Sequence, residues 1–231
     1  MHGISMLRRT CLCGSLALAC WASAFLGGCL AVRTPEPDAP VRVAAGEGTV
    51  FGGVRVFDRG HEITPWKREH IEILAEDPVI RLALFHVESG RKRPDVPISK
   101  EGRFEWILPA GTYLLYHTPS IEPPFNEPLA AFQVTRESDP VDLGELHLAI
   151  SVDRALTRRL ATYTLSNVQA SAGNTSSAAQ FLRRHPGTNR VRESAFVVDP
   201  ELGGLFTNWS REACARILAR HGMKIGGVEG R

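Results

Sequence analysis

Hydrophobic and polar positions alternate with a period of two through much of segment 48–150. The runs 49–57, 79–87, 103–108, 112–117, 130–135 and 144–150 are rich in Val, Ile, Leu, Phe and Tyr, and Gly, Pro, Asp, Asn and Ser separate them. The alternation is plainest in Arg81-Leu82-Ala83-Leu84-Phe85-His86-Val87 and in Gly144-Glu145-Leu146-His147-Leu148. Successive side chains of a strand point to opposite faces, so this pattern predicts strands with one buried face. Antiparallel pairing is the usual setting for such strands, and short strands at this spacing predict a sandwich or barrel. Segment 70–75 fits a strand or a short helix equally well.

The pattern changes after residue 150. Segment 159–169 alternates like a strand. Segment 174–185 carries Ala178, Ala179, Phe181 and Leu182 at helical spacing, with Asn174 or Thr175 as N-cap and Pro186-Gly187 as the stop. Segment 191–198 fits a strand. The clearest helix is 208–221: Asn208 or Ser210 caps it, Ala213, Ile217 and Leu218 form an apolar stripe, and Gly222 follows its end. The expected fold is mainly β, an antiparallel sandwich over 48–150 with a small α+β appendage over 151–221 and a loose tail over 222–231.

The N-terminus has a layout of its own. Arg8-Arg9 precede an apolar stretch that closes on Leu26-Gly27-Gly28-Cys29. A positive head, a hydrophobic middle and small residues at the cut make a secretory leader. The last four residues resemble a bacterial lipobox, the motif of lipoprotein signal peptides. The resemblance implies cleavage between Gly28 and Cys29, a diacylglyceryl group on the Cys29 thiol and a chain anchored in the cell envelope by lipid. Residues 1–28 would then leave, and 29–47, with Pro35, Pro37 and Pro40, would tether the body to the membrane. The competing readings are an uncleaved membrane span, diluted by Gly14, Gly27, Gly28 and the cysteines, a plain secretory signal, and a cut at Cys20, which lacks a branched apolar residue at −3. Leu30 rather than Asp follows the cysteine, which by analogy with enteric sorting points to an outer membrane where the cell has one.

A second resemblance rests on Lys100-Glu101-Gly102-Arg103-Phe104-Glu105-Trp106-Ile107-Leu108-Pro109-Ala110-Gly111-Thr112-Tyr113. Gly102 suits a turn with positive φ, Phe104 re-enters the core, Pro109-Ala110-Gly111 breaks the ladder and Tyr113 begins the next strand. This resembles the "G-x-F … L-P-x-G-x-Y" hairpin of carboxypeptidase-regulatory-like domains, which are transthyretin-like (prealbumin-like) β-sandwiches. The family implies a regulatory, adhesive or structural module, and residues 61–76 depart from its usual upstream strand as a polar insertion.

Charge and cysteine content narrow the function further. The chain has 27 Lys and Arg against 25 Asp and Glu, and without the leader's Arg8 and Arg9 the balance is 25 against 25. Such neutrality does not suit nucleic acid, which needs a basic stripe; Arg91-Lys92-Arg93 and Arg183-Arg184-His185 are short enough to be solvated faces. Of the five cysteines, only Cys29 and Cys214 lie beyond the leader, so no disulfide framework is expected and Cys214 reads as a buried small hydrophobe.

Candidate chemistry is sparse. His61-Glu62 lacks the second zinc-spaced histidine, because Pro65 stands there; His61, Glu62, Glu69 and His70 read as a solvated loop before a metal site. His86, His117 and His147 lie on expected strands, where half-exposed structural histidines are the ordinary case. No nucleophile elbow or phosphate loop is present, and nothing local activates Ser194 or Ser210. Trp106, Tyr113 and Tyr116 belong with core packing, which leaves Trp66 as the aromatic to stack on a glycan. The expectation is a non-enzymatic, lipid-anchored envelope scaffold or interaction module with no cofactor and no metal. It would have an envelope protein or glycan as partner; a carbohydrate- or peptidoglycan-binding lipoprotein is the alternative, and a hydrolase a more distant one.

Overall fold

The computed structural model describes residues 30–64, 80–118, 128–136, 139–153, 162–173, 175–204 and 210–225. Its elements are β1 (Glu47–Asp58), β2 (His61–Ile63), β3 (Arg81–His86), β4 (Arg91–Arg93), β5 (Arg103–Pro109), β6 (Gly111–Thr118), β7 (Pro128–Val134), β8 (Val141–Asp153) and β9 (Thr162–Ser171). They continue with α1 (Thr175–Arg184), β10 (Arg192–Glu193), α2 (Pro200–Gly204) and α3 (Arg211–Ala219). The protein is mainly β, as the alternation predicts, and its strands form two sheets. No helix among the described residues is long and apolar enough to cross a membrane.

The first sheet is built on β1 and β8, which run parallel to each other. This departs from the antiparallel expectation. Strands β5 and β2 pair in succession along the other side of β1, both antiparallel to it. On the far side of β8, β9 pairs antiparallel and β10 parallel. The second sheet is antiparallel throughout, in the order β4-β3-β6-β7.

The main core fills the space between the sheets. Val50, Val54 and Val56 of β1 and Leu146, Leu148, Ile150 and Val152 of β8 face Leu82, Leu84, Tyr113, Leu115, Ala130 and Phe132 of the second sheet. In β8 the inward positions change parity, from Val141 and Leu143 to Leu146 and its successors. A bulge causes this: Phe51 pairs with Asp142 but Gly53 pairs with Glu145, so β8 carries one extra residue. Gly144, at φ 74°, takes up the distortion. Without it the second half of β8 would turn its apolar side chains to the wrong face.

Aromatic rings dominate the centre. Phe104 stacks on Trp106 with ring centroids 3.9 Å apart, and Tyr113 on Phe132 at 5.3 Å. The Trp106 indole N–H donates to Pro97 O at 2.7 Å, so its one polar atom is satisfied inside the core.

The stretch 102–113 is not a hairpin. Strand β5 belongs to the first sheet and β6 to the second, so Pro109-Ala110-Gly111 carries the chain across the sandwich. Tyr113 closes this corner by donating its hydroxyl to Pro109 O at 2.7 Å. Gly111 sits at φ 152°, and a Cβ there would lie 2.1 Å from His86 Nε2 and 2.8 Å from Glu88 Oε2. The local expectations hold all the same: Phe104 and Tyr113 are buried, and Gly102 has φ 74°.

Three further segments differ from the sequence reading. The described part of the supposed tether is packed along the body: Leu30 is only 2% exposed, Arg33 bridges to Ile107, and Asp38 N–H donates to Arg184 O at 2.8 Å. Prolines there favour extended chain, but extended chain serves equally well as a strap along a sandwich edge. The region after 150 is no separate appendage, since β8 runs through that boundary and β9 and β10 extend its sheet. Finally, the first residues of the supposed tail pack inward. Met223 and Ile225 join Leu202, Cys214, Ile217 and Leu218 in a second core that covers Phe85, Leu114 and Ala131 on the outer face of the second sheet. Segment 191–198 gives only the short β10 and a single bridge from Val197 to Ala131. Segment 70–75 and the candidate caps Asn174 and Asn208 lie outside the described residues.

Candidate functional site

A cleft lies on the outer face of the first sheet, beneath α1. It begins with Phe51, which alternation turns away from the main core. Exposed there, its ring would cost the free energy of wetting a large apolar surface. Helix α1 covers it: the Phe181 ring stacks on Phe51 at 4.1 Å with planes 9° apart. His185 follows the last residue of α1; its N–H donates to Phe181 O at 3.0 Å, and the two rings are 4.6 Å apart.

Both ends of α1 are fixed to the sheet. At the start, the Ser177 hydroxyl donates to Asp142 Oδ2, and Oδ1 of the same carboxylate accepts the bulge Gly144 N–H at 2.9 Å. Asp142 is fully buried. A carboxylate at a helix start also opposes the positive end of the helix dipole. At the other end, His185 Nε2 lies 2.9 Å from Glu105 Oε2, and His185 Nδ1 lies 3.2 Å from Ala39 O. Arg184 also donates to Glu105. Strap, helix and β5 thus meet at one buried imidazole.

Between these fixed ends lies a cleft of ≈ 590 Å³, within the range of small-ligand sites. Its floor includes Gly52, Gly53 and Gly144, and its walls carry Arg55, Glu62, Glu145, Lys100, Glu101 and Arg103. Gly52 is required sterically, because a Cβ there would lie 2.5 Å from Gly144 O and 2.9 Å from Phe104 Cζ. Arg55 Nε is 3.1 Å from Glu62 and 3.9 Å from Glu145, and Glu145 is 3.3 Å from His147 Nε2. These acids and bases engage one another. The hydroxyl of Ser177 is bonded to a carboxylate rather than to an imidazole. This set can bind through charge and hydrogen bonds, and it lacks the nucleophile and base pairing that covalent catalysis uses.

The sequence candidates fall into three groups. Gly28, Cys29, Trp66, Glu69 and His70 lie outside the described residues. His61 and Glu62 are described, and they form β2 rather than a loop: Arg59 and Gly60, at φ 51° and 85°, make the tight turn of a β1–β2 hairpin. The three strand histidines are not brought together. His147 lies on the outer face of the first sheet, its ring 5.6 Å from Phe57. His86 and His117 belong to the second sheet and are buried rather than half-exposed. His86 Nδ1 meets Ser89 Oγ at 2.7 Å, and its ring packs against Tyr113. Among the described residues no group of three or more His, Cys, Asp or Glu is placed to hold a metal ion.

The remaining candidates have structural roles. Ser210 caps α3 by accepting the Ala213 N–H at 2.9 Å, and Ser194 N–H donates to Asp142 O. Trp106 and Tyr113 are core residues, and Tyr116 packs against the second core. Burial raises both tyrosine hydroxyls above their ordinary pKa, with the charge of Glu88 adding to the effect at Tyr113. Burial, with help from Glu88, pushes the Cys214 thiol up to about 12. It therefore stays protonated and unreactive, as a small core hydrophobe should.

Sequence reading did not find Asp142, Glu105 with His185, or the Phe51–Phe181 stack. The one local signal was Phe51 itself, a large aromatic at an outward position of an alternating strand. Its cover, Phe181, was visible as part of a helical stripe but had no assigned partner. No protein-family model matches the chain, and no curated protein or solved structure matches it either.

Proposed function

We propose that this protein is a lipid-anchored component of a bacterial cell envelope and that its β-sandwich acts as a non-catalytic scaffold or interaction module. The observation that carries the reading is Leu26-Gly27-Gly28-Cys29 at the end of a basic-then-apolar leader. A lipoprotein cysteine carries more than one acyl chain, which stable anchoring requires. A binding role is supported by the cleft under α1, whose charged groups pair with one another around a glycine floor. Membership of the transthyretin-like sandwiches belongs to the same proposal. It is supported by Gly102, Phe104, Gly111 and Tyr113, a turn, a corner and two buried aromatics in the order of that motif. Leu30 after the cysteine favours the outer membrane where the cell has one.

The test is expression of the full chain in a bacterium fed a labelled fatty acid. Label on the wild-type chain, lost in Cys29→Ala together with signal cleavage, is the expected result. Equal labelling and cleavage of the two chains would overturn the anchor reading.

A further inference from the structure

The chain enters the body at a defined place. Leu30 is 2% exposed and packs into the main core, and its N–H donates to Lys92 O at 3.0 Å. Lys92 is the middle residue of β4, the edge strand of the second sheet, which reads Arg91-Lys92-Arg93. Arg91 and Lys92 are exposed, and Arg93 is partly buried. Lys92 extends along the sheet's outer face, its Nζ 5.7 Å from the Phe85 ring centre. Asp95, also exposed, is the nearest acid that follows along the chain.

We propose that β4 is a second, electrostatic membrane contact, and that its partner is an anionic phospholipid surface. The inference rests on the lipid-anchor reading of Cys29. Successive Cα atoms are about 3.8 Å apart, so an acyl group on residue 29 is covalently held within one residue of the strand carrying three consecutive cations. A long free tether would let the body tumble, and the potential of a charged bilayer fades over a Debye length of about 8 Å at physiological salt. Here Leu30 is pinned, so the same face of the sandwich is presented whenever the anchor is inserted. Basic residues next to an anchor strengthen binding to anionic lipid. Cations on an edge strand also discourage edge-to-edge pairing, but that role predicts no dependence on lipid charge.

The test uses the chain from Cys29 onward, which holds every described residue and contact. A single acyl chain is coupled chemically to Cys29; buried Cys214 does not compete. Partitioning is measured onto vesicles of phosphatidylcholine alone and of phosphatidylcholine with phosphatidylglycerol. One acyl chain binds only marginally, so a charge contribution is measurable. The expected result is tighter binding to the anionic vesicles, abolished by high salt. Arg91→Gln with Lys92→Gln should lower anionic binding about 30-fold and leave binding to neutral vesicles unchanged. A control, Arg183→Gln with Arg190→Gln, removes the same charge from other exposed positions and should lower it far less. Equal losses in the two double variants, or no preference for anionic vesicles, would overturn the proposal. Because the acyl chain is attached in vitro, that outcome is distinct from failure of acylation in the cell.

Discussion

Two positions show how strictly single residues are constrained. Gly111 combines φ 152° with a backbone packed against His86, and the Cβ of any other residue would lie 2.1 Å from the His86 Nε2 position. Overpacking of this kind costs about 1–3 kcal/mol, and the positive φ adds to it. Gly111→Ala should therefore lower the unfolding free energy by at least that amount, read as a lower denaturant midpoint at an unchanged slope. Cys214 is the opposite case, an inert thiol in an apolar setting. Peptide-level mass spectrometry after alkylation of the native protein should find Cys214 unmodified, and brief treatment in denaturant should modify it fully. Rapid native labelling would mean that the second core is open to solvent.

Asp199 is constrained by charge. It caps α2 through the Glu201 N–H at 2.9 Å and accepts from His221 Nε2 at 2.8 Å and from Arg220 at 3.1 Å. Burial alone would raise its pKa, but these hydrogen bonds and the Arg220 and His221 charges outweigh it and hold the carboxyl below its ordinary 3.8. Because the folded value is the lower one, the linked stability is fully present above pH 3.8 and is lost as the pH falls through the folded value. Asp199→Asn should reduce stability at neutral pH and flatten the acid limb of a stability-against-pH curve. Superimposed curves for the two proteins would show that the cluster contributes nothing.

Elements in this protein are fixed by contacts at their ends as much as by their own sequences. Helix α1 spans Thr175–Arg184, short enough to be marginal alone. Its position follows from Asp142 at its start, Glu105 with His185 at its end and Phe181 between. Asp142→Ala would leave the buried Gly144 N–H without its acceptor, at about 1–3 kcal/mol. It should also raise hydrogen exchange across both α1 and the Leu143–Gly144 bulge. Exchange that rises in the bulge but not in α1 would show that Phe181 packing alone places the helix. Strand β5 depends on the central stack, and Phe104→Ala should cost about 3–5 kcal/mol, a large part of a domain's total of about 5–15 kcal/mol. An unchanged melting temperature would contradict the burial of that ring.

At the scale of the whole molecule, the sandwich is closed by segments that are not strands. The strap from Leu30 runs past β4 and β5 to the end of α1, through Lys92 O, Ile107 and Arg184 O. Residues 223–225 close the opposite face, where Lys224 O accepts from Gln133 Nε2 at 2.8 Å. The described body therefore runs from Leu30 to Ile225, with both of these end segments packed against it. Leu30→Ala removes a core side chain and should cost about 2–5 kcal/mol. The melting temperature should fall by several degrees, whereas substitution in a free tether would leave it unmoved.

The sequence by itself determined what depends on neighbours along the chain. Alternation placed β1, β3, β5, β6, β7 and β8, because a strand with one buried face must repeat every two residues. The apolar stripe of α3 and the glycines at 102 and 222 were legible for the same reason, since capping and turn geometry are local. The motif Leu26-Gly27-Gly28-Cys29 is also local, and the consequence proposed for it is chemical rather than conformational. Tertiary structure alone decided which edges pair. Nothing within β1 or β8 states that they lie side by side and parallel, because backbone hydrogen bonds look the same from either sequence. Nothing within Pro109-Ala110-Gly111 distinguishes a hairpin from a passage between sheets, since both need a break and a residue free of Cβ. Pro35, Pro37 and Pro40 read from sequence as a tether, and only the contacts of Leu30 and Arg33 show the described segment to be a strap. The cleft under α1 belongs to this second class. Asp142, Glu105 and His185 are far apart in sequence; the pairing of β5 and β8 with β1, and the packing of Phe181 on Phe51, bring them under one helix.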